Sequence, residues 1–173
     1  IDNMVDVLEE HGVVVGRLHL QDHTAITKGK AATVDAFSIP YADHPVVILA
    51  DDKAKTARSR FDAAHEFGHL MMHDEACAGS KDIEQQANWF AAEFLMPAES
   101  IEDELPTRVK WRELLDLKVR WGVSLAALLM RCKTLGRIDA ELNEHEYRTH
   151  EFGDSVFLER VTSRYARFTA CAV

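Results

Sequence analysis

The stretch RFDAAHEFGHLMMH, residues 60–73, decides the fold. Phe61, Ala64, Phe67, Leu70, Met71 and Met72 place apolar groups on most sides of a helix predicted over 57–73, and an all-round apolar helix is a buried one. His65, Glu66 and His69 spell H-E-x-x-H inside it. On a helix, positions four apart share a face at about 5–6 Å, so two imidazoles can reach one ion at zinc–nitrogen distances near about 2.0–2.1 Å. Glu66 is turned by about 100° from His65, which sets it beside such an ion, where it can take a proton from water. With nine histidines in the chain, a chance H-E-x-x-H arises on the order of a few per cent of the time. The buried setting argues against chance, because buried polar groups need partners and a metal satisfies both imidazoles at once.

A catalytic zinc takes three protein ligands and keeps one position open. In IEQQANWFAAEFLMP, residues 83–97, Ala87, Phe90, Ala91, Phe94 and Leu95 define the inward face of a second helix, ended by Pro97. Glu84, three residues before Ala87, stays near that face; Glu93, nine residues beyond Glu84, points about 180° away and is expected in solvent. Glu84 is the expected third ligand, against the plainer reading of a first-turn carboxylate favoured by the helix dipole. His73 also follows His69 by four. His65 and His73 are about 12 Å apart along an unbroken helix, so all three imidazoles do not converge on one tetrahedral ion. His73 is read as a residue behind the ligands, a helix cap or a substrate contact.

Working outward, Met4, Val5 and Leu8 at helical spacing predict a short helix within 2–11, stopped by Gly12. Three β-branched runs follow, VVVGRLHL (13–20), TVDAFSI (33–39) and PVVILA (45–50), and the short link between the last two predicts an antiparallel hairpin. Further helices are predicted near 83–95, near 110–120 and after Ser124, and some helix near 155–168. Helices segregated after strands give an α+β class: a small, mostly antiparallel three-stranded sheet packed on the buried H-E-x-x-H helix, followed by a helical region.

At 173 residues and 47% hydrophobic content the chain can bury a core of ordinary domain size. No apolar run approaches the about 18–20 residues of a membrane span and no secretory leader opens the chain, so a cytoplasmic protein without membrane partners is expected. The start at Ile1 suggests a processed or cut-down chain. Cys77, Cys132 and Cys171 lack zinc or redox spacing and read as buried thiols in a reducing compartment. A net charge of −9 argues against the whole chain coating nucleic acid. One segment departs from this: Arg108, Lys110, Arg112, Lys118, Arg120, Arg131, Lys133 and Arg137 oppose only Glu113 and Asp116. With Gly122 and Ser124 between its helices it even reads as a helix-turn-helix. Its second helix opens on Leu125, Ala126, Ala127, Leu128, Leu129 and Met130, which offer little to base edges, so a packed helical hairpin with a basic rim is favoured.

Together these residues resemble the ImmA/IrrE family of metallopeptidases. The resemblance rests on DAFS at 35–38, PVVIL at 45–49, RSRFDAAHEFGHLMMH at 58–73, EQQANWFAAEFLMP at 84–97 and LKVRWGVSLAALLMRCKTLGRI at 117–138. It implies a zincin-like fold over 1–138, helical hairpin 110–136 included, and leaves 139–173 as a tail of open role. It implies zinc, with manganese as the alternative, on His65, His69 and Glu84, and Glu66 as general base. As substrate it implies a helix-turn-helix repressor, cleaved to derepress phage, mobile-element or stress genes. DNA would be met only indirectly or through a missing N-terminal domain, which relatives often carry. The alternative is a non-proteolytic regulatory or sensor domain of a transcription regulator or antitoxin. In zincins generally the substrate extends along an edge strand, here the 45–50 segment or its hairpin partner. His145, Tyr147 and His150 are candidates for stabilising the oxyanion.

Overall fold

The computed structural model describes residues 3–18, 25–27, 30–32, 36–41, 43–50, 56–73, 80–138, 147–152 and 155–160, with the strands at 25–32 and 147–160 described by their backbone alone. Packing divides the chain into two compact units, Ile1–Leu95 and Met96–Val173. The boundary expected at 138 is one of family resemblance, and the two divisions need not coincide.

The first unit opens with α1 (Met4–Glu10), whose N-cap Asn3 accepts from the Val5 amide at 3.1 Å and whose Met4 and Leu8 are buried. The expected strands form as β1 (Val14–Leu18), β4 (Ala36–Ile39) and β5 (Val46–Ala50), and a two-stranded hairpin of β2 (Ala25–Thr27) and β3 (Lys30–Ala32) stands between the first two in sequence. The sheet order is β1-β5-β4. β4 and β5 form the expected antiparallel hairpin, from Ala36↔Leu49 to Ile39↔Val46. β1 runs parallel to β5, from Val14↔Val46 to Leu18↔Ala50, so the three-stranded sheet is mixed in direction. The long connection over 19–45 is what a parallel pairing needs. Among the described strands β5 is therefore central and β1 and β4 are edges, so of the two strands expected as an edge the 45–50 segment is not one and its hairpin partner is. Val47 and Leu49 of β5 are fully buried, and α2 (Thr56–Met72) packs over β4 and β5. α3 (Lys81–Leu95) packs on α2 and buries Ala87, Ala91 and Leu95, the inward face expected from the sequence.

The second unit holds α4 (Ala98–Ile101), a 3-10 turn over Glu102–Glu104, α5 (Trp111–Trp121) and α6 (Leu125–Thr134). Gly122 ends α5 at φ 61°, a left-handed conformation that suits a residue without Cβ, and its amide closes on the Lys118 carbonyl. Ser124 Oγ then caps α6 by accepting from the Ala127 amide at 3.1 Å. Leu114, Leu117, Val123, Leu128, Leu129 and Cys132 are buried, as a packed hairpin requires. Burial pushes the Cys132 thiol up to about 11; Cys77 and Cys171 lie outside the described residues.

The basic segment is less free than its composition suggests. Arg131 is only 6% exposed and its Nε donates to the Met96 carbonyl at 3.0 Å. Lys110 pairs with Glu113 at 2.9 Å, Arg120 with Glu104 at 2.8 Å, and Arg137 donates to the Glu102 carbonyl at 2.7 Å. These four charges are engaged in internal contacts, while Arg108, Arg112 and Lys133 are exposed.

The helix expected near 155–168 is corrected. Residues Ser155–Arg160 form strand β7, antiparallel to β6 (Tyr147–Phe152), from Tyr147↔Arg160 to Phe152↔Ser155. The signal was the Gly153-Asp154 dipeptide between two β-prone runs, a two-residue hairpin sequence that outweighs a weak helical period. Residues 161–168 lie outside the described residues, as does His145; of Tyr147 and His150 only the backbone is described. Among the described residues no helix is long and apolar enough to cross a membrane.

Candidate metal centre

The centre lies within the first unit, on α2 and α3. An aromatic joint sets their spacing: Phe67 of α2 meets Phe90 and Phe94 of α3 edge-on, at 5.8 and 5.9 Å between ring centroids, while those two rings stack on each other at 5.6 Å. Gly68 allows the approach, since a Cβ there would lie 2.9 Å from Phe90 Cδ1 and 3.2 Å from its Cβ. The first turn of α3, with Ser80 Oγ accepting from the Ile83 amide at 3.3 Å, is thereby held beside α2 with Glu84 aimed at the histidines.

The donor atoms converge. His65 Nε2 and His69 Nε2 are 3.0 Å apart, and Glu84 Oε2 lies 3.2 Å from the first and 3.7 Å from the second. Ligands about 2.1 Å from a tetrahedral zinc stand about 3.4 Å from one another. The observed separations bracket that value, so two imidazoles and one carboxylate fit a divalent ion in both chemistry and spacing. Among the described residues this is the group of three His, Cys, Asp or Glu side chains placed to hold a metal. Glu84 is half exposed, so one side of the site faces solvent. Glu93, on the other side of α3, is exposed.

Burial, and next the neighbouring His65, lowers the pKa of His69 below 6.5, against the raising influence of Glu66 and Glu84. Its imidazole is thus held neutral at physiological pH, the state in which it can ligate. The Nδ1 atoms face away from the convergence point. His65 Nδ1 contacts Asn88 Oδ1 at 3.1 Å, His69 Nδ1 contacts His73 Nδ1 at 3.1 Å, and His73 Nε2 contacts Gln86 Oε1 at 3.0 Å. Of the readings open for His73, the structure places it behind His69.

Glu66 is buried at 8% exposure and accepts from Ser38 Oγ of β4 at 2.6 Å. Glu66 thus shares α2 with the two histidines and ties that helix to β4.

Residues 8–133 match the family described as the IrrE N-terminal-like domain, peptidase M78. The chain belongs to this M78 peptidase family. The match takes in α2 and α3 whole, and hence every residue of the centre just described. Among curated proteins none matches the chain significantly.

The M78 family match covers both helices, but three residues that support the site escaped the sequence reading. Asn88 follows Glu84 by four on α3, repeating the His65–His69 spacing on α2, and that repeat was the available signal. Gln86 stands on another side of α3 and reaches His73 only through its long side chain, which no periodicity reveals. Ser38 sits in a run legible as a strand, but which residues face α2 depends on the β4–β5 register.

Proposed function

We propose that this domain is a zinc-dependent endopeptidase in which His65, His69 and Glu84 hold the ion and Glu66 is the general base, acting on a helix-turn-helix transcriptional repressor. The observation that carries the reading is the convergence of three donor atoms at 3.0, 3.2 and 3.7 Å, two of them on the same helix as a buried carboxylate that a metal site of purely structural purpose would not need. Zinc, or manganese in its place, would supply Lewis acidity there, polarising the scissile carbonyl and bringing the pKa of a water toward about 7.

The protein's own residues supply the rest. Glu66, fixed at Oε2 by Ser38, takes the proton of the attacking water and returns it to the leaving amine nitrogen, so that one carboxylate serves as base and then as acid. A substrate strand added to the free edge of β4 would run past Ser38 and so past Glu66, by main-chain pairing. The repressor substrate rests on the family, whose members of this kind are read as switches of gene expression, and a cytoplasmic location follows from such a substrate.

The test is cleavage of any helix-turn-helix repressor found encoded near this protein's gene, with zinc or manganese supplied and products read by mass spectrometry. The parent is expected to cut at a defined bond. Glu66→Gln is expected to keep its zinc and to lose cleavage by several orders of magnitude, the scale of acid–base groups working with a metal. Equal cleavage by that variant would remove Glu66 from its role. A zinc-loaded parent that cuts nothing would favour a non-proteolytic regulatory or sensor domain.

A further inference from the structure

We infer that Asn88, His73 and Gln86 are positioning residues that fix a proton on Nδ1 of each ligand imidazole and so present both Nε2 lone pairs to one point. The inference rests on the metal reading above and extends it to residues that touch no ion themselves.

The argument is one of donors and acceptors. A neutral imidazole has one nitrogen of each kind, so settling one settles the other. Gln86 turns its carbonyl oxygen to His73 Nε2 at 3.0 Å, and an oxygen accepts, so Nε2 carries hydrogen. His73 Nδ1 is then the acceptor, and His69 Nδ1, 3.1 Å away, must be the donor. That leaves His69 Nε2 as a bare lone pair. On the other imidazole, Asn88 Oδ1 accepts from His65 Nδ1 at 3.1 Å, and His65 Nε2 is bare as well. Two lone pairs then face each other at 3.0 Å, with Glu84 Oε2 alongside. Three acceptors crowded together with no proton among them repel, and a cation placed between them relieves the repulsion. The opposite polarity would put a hydrogen on an Nε2, where it would block that ligand.

Two residues of α3 thus act on two ligands of α2, one directly and one through His73. Asn88 and Gln86 are both exposed, so their substitution leaves the core untouched.

The experiment measures zinc dissociation constants by competition with a chromophoric chelator, for the parent and for Asn88→Leu, Gln86→Met, Asn88→Asp and Gln86→Glu. Salt at 1 M shortens the screening length to about 3 Å and suppresses the effect of the added charges. Removing either acceptor is expected to weaken zinc by about 10- to 100-fold, the usual scale for groups that orient a metal-bound histidine. The Asp and Glu variants, which keep an acceptor, should stay within about threefold of the parent or bind more tightly. Melting of the metal-free proteins should be unchanged, which separates positioning from general destabilisation. Nitrogen NMR of the zinc-loaded parent should show Nδ1 of His65 and His69 protonated. Parental zinc affinity in Asn88→Leu and Gln86→Met would overturn the inference while leaving the metal site standing. A parent that binds no zinc would overturn both.

Discussion

Ser38 and Glu66 meet 2.6 Å apart, a hydroxyl on β4 donating to a carboxylate on α2, the helix of His65 and His69. The distance is short, as expected when the acceptor is ionised. Glu66 is 8% exposed, so little water is available to replace the hydroxyl. The strand on which a peptide would dock is therefore tied to the carboxylate that would act on that peptide.

Ser38→Ala is expected to cost about 1–3 kcal/mol in urea unfolding of the metal-free protein, because a buried acceptor loses its donor. In the zinc-loaded protein it should lower kcat by about tenfold and leave zinc affinity and KM near parental, since Ser38 contacts neither ligand nor ion. Ser38→Thr, which keeps the hydroxyl, should recover most of both. Unchanged stability and kcat in the Ala variant would show that the hydroxyl does not hold Glu66.

The candidate metal centre was legible because its convergence obeys one rule applied twice. His65 and His69 share a face of α2, Glu84 shares the inward face of α3, and a period of about 3.6 residues locates all three. What escaped depends on tertiary placement. The parallel direction of β1 comes from the path of a long connection, and the side to which Ser38 points comes from the Ala36↔Leu49 register. Arg131 looked like part of a basic rim because charge is visible in sequence and burial is not. The 155–160 strand was hidden by a weak helical period, with only the Gly153-Asp154 dipeptide in the sequence to betray it.

Gly68→Ala tests the spacing of the two helices. In an open helix interior this change gains about 1 kcal/mol. Here the new Cβ would lie 2.9 Å from Phe90 Cδ1 and 3.2 Å from Phe90 Cβ, and the latter is tied to the α3 backbone and cannot swing aside. Overpacking of this kind costs about 1–3 kcal/mol, so the net change in stability is expected to be destabilising and small. Zinc affinity should fall more visibly, by tenfold or so, because α3 carries Glu84 and a shift of a few tenths of an ångström opens the donor triangle. Chelator competition measures it, and parental affinity would show that α3 has room to adjust.

The lowered pKa of His69 sets a pH dependence whose sign can be worked out. Burial and the neighbouring His65 hold it below 6.5 in the folded protein. In the window from 6.5 down to that lowered value the unfolded chain binds more protons than the folded one, so stability falls as pH falls through it and is flat above it. Urea unfolding of the metal-free protein between pH 8 and 5 should show a plateau and then a decline on the acid side. Zinc opposes this, because a ligating nitrogen cannot also bind a proton, and the loaded protein should hold its stability to lower pH until the ion leaves. A metal-free stability curve rising toward acid would contradict the burial of a neutral imidazole.

Arg131 decides between two views of the second unit. As part of a basic rim it would be solvated, and its loss would be within about 0.5 kcal/mol of neutral. In the structure its side chain is 6% exposed and its Nε holds the Met96 carbonyl at 3.0 Å, so Arg131→Ala removes a charge-assisted bond and opens a gap beside a buried acceptor. Urea unfolding should register a loss of about 2–4 kcal/mol. Arg131→Lys should recover little, because the Nε–H that makes the contact belongs to a planar guanidinium that an ammonium does not imitate. By contrast, Lys133 is exposed, and Lys133→Ala should leave stability within about 0.5 kcal/mol of the parent. If Arg131→Ala instead behaved like Lys133→Ala, the arginine would return to the surface and the case for a nucleic-acid-facing hairpin would strengthen.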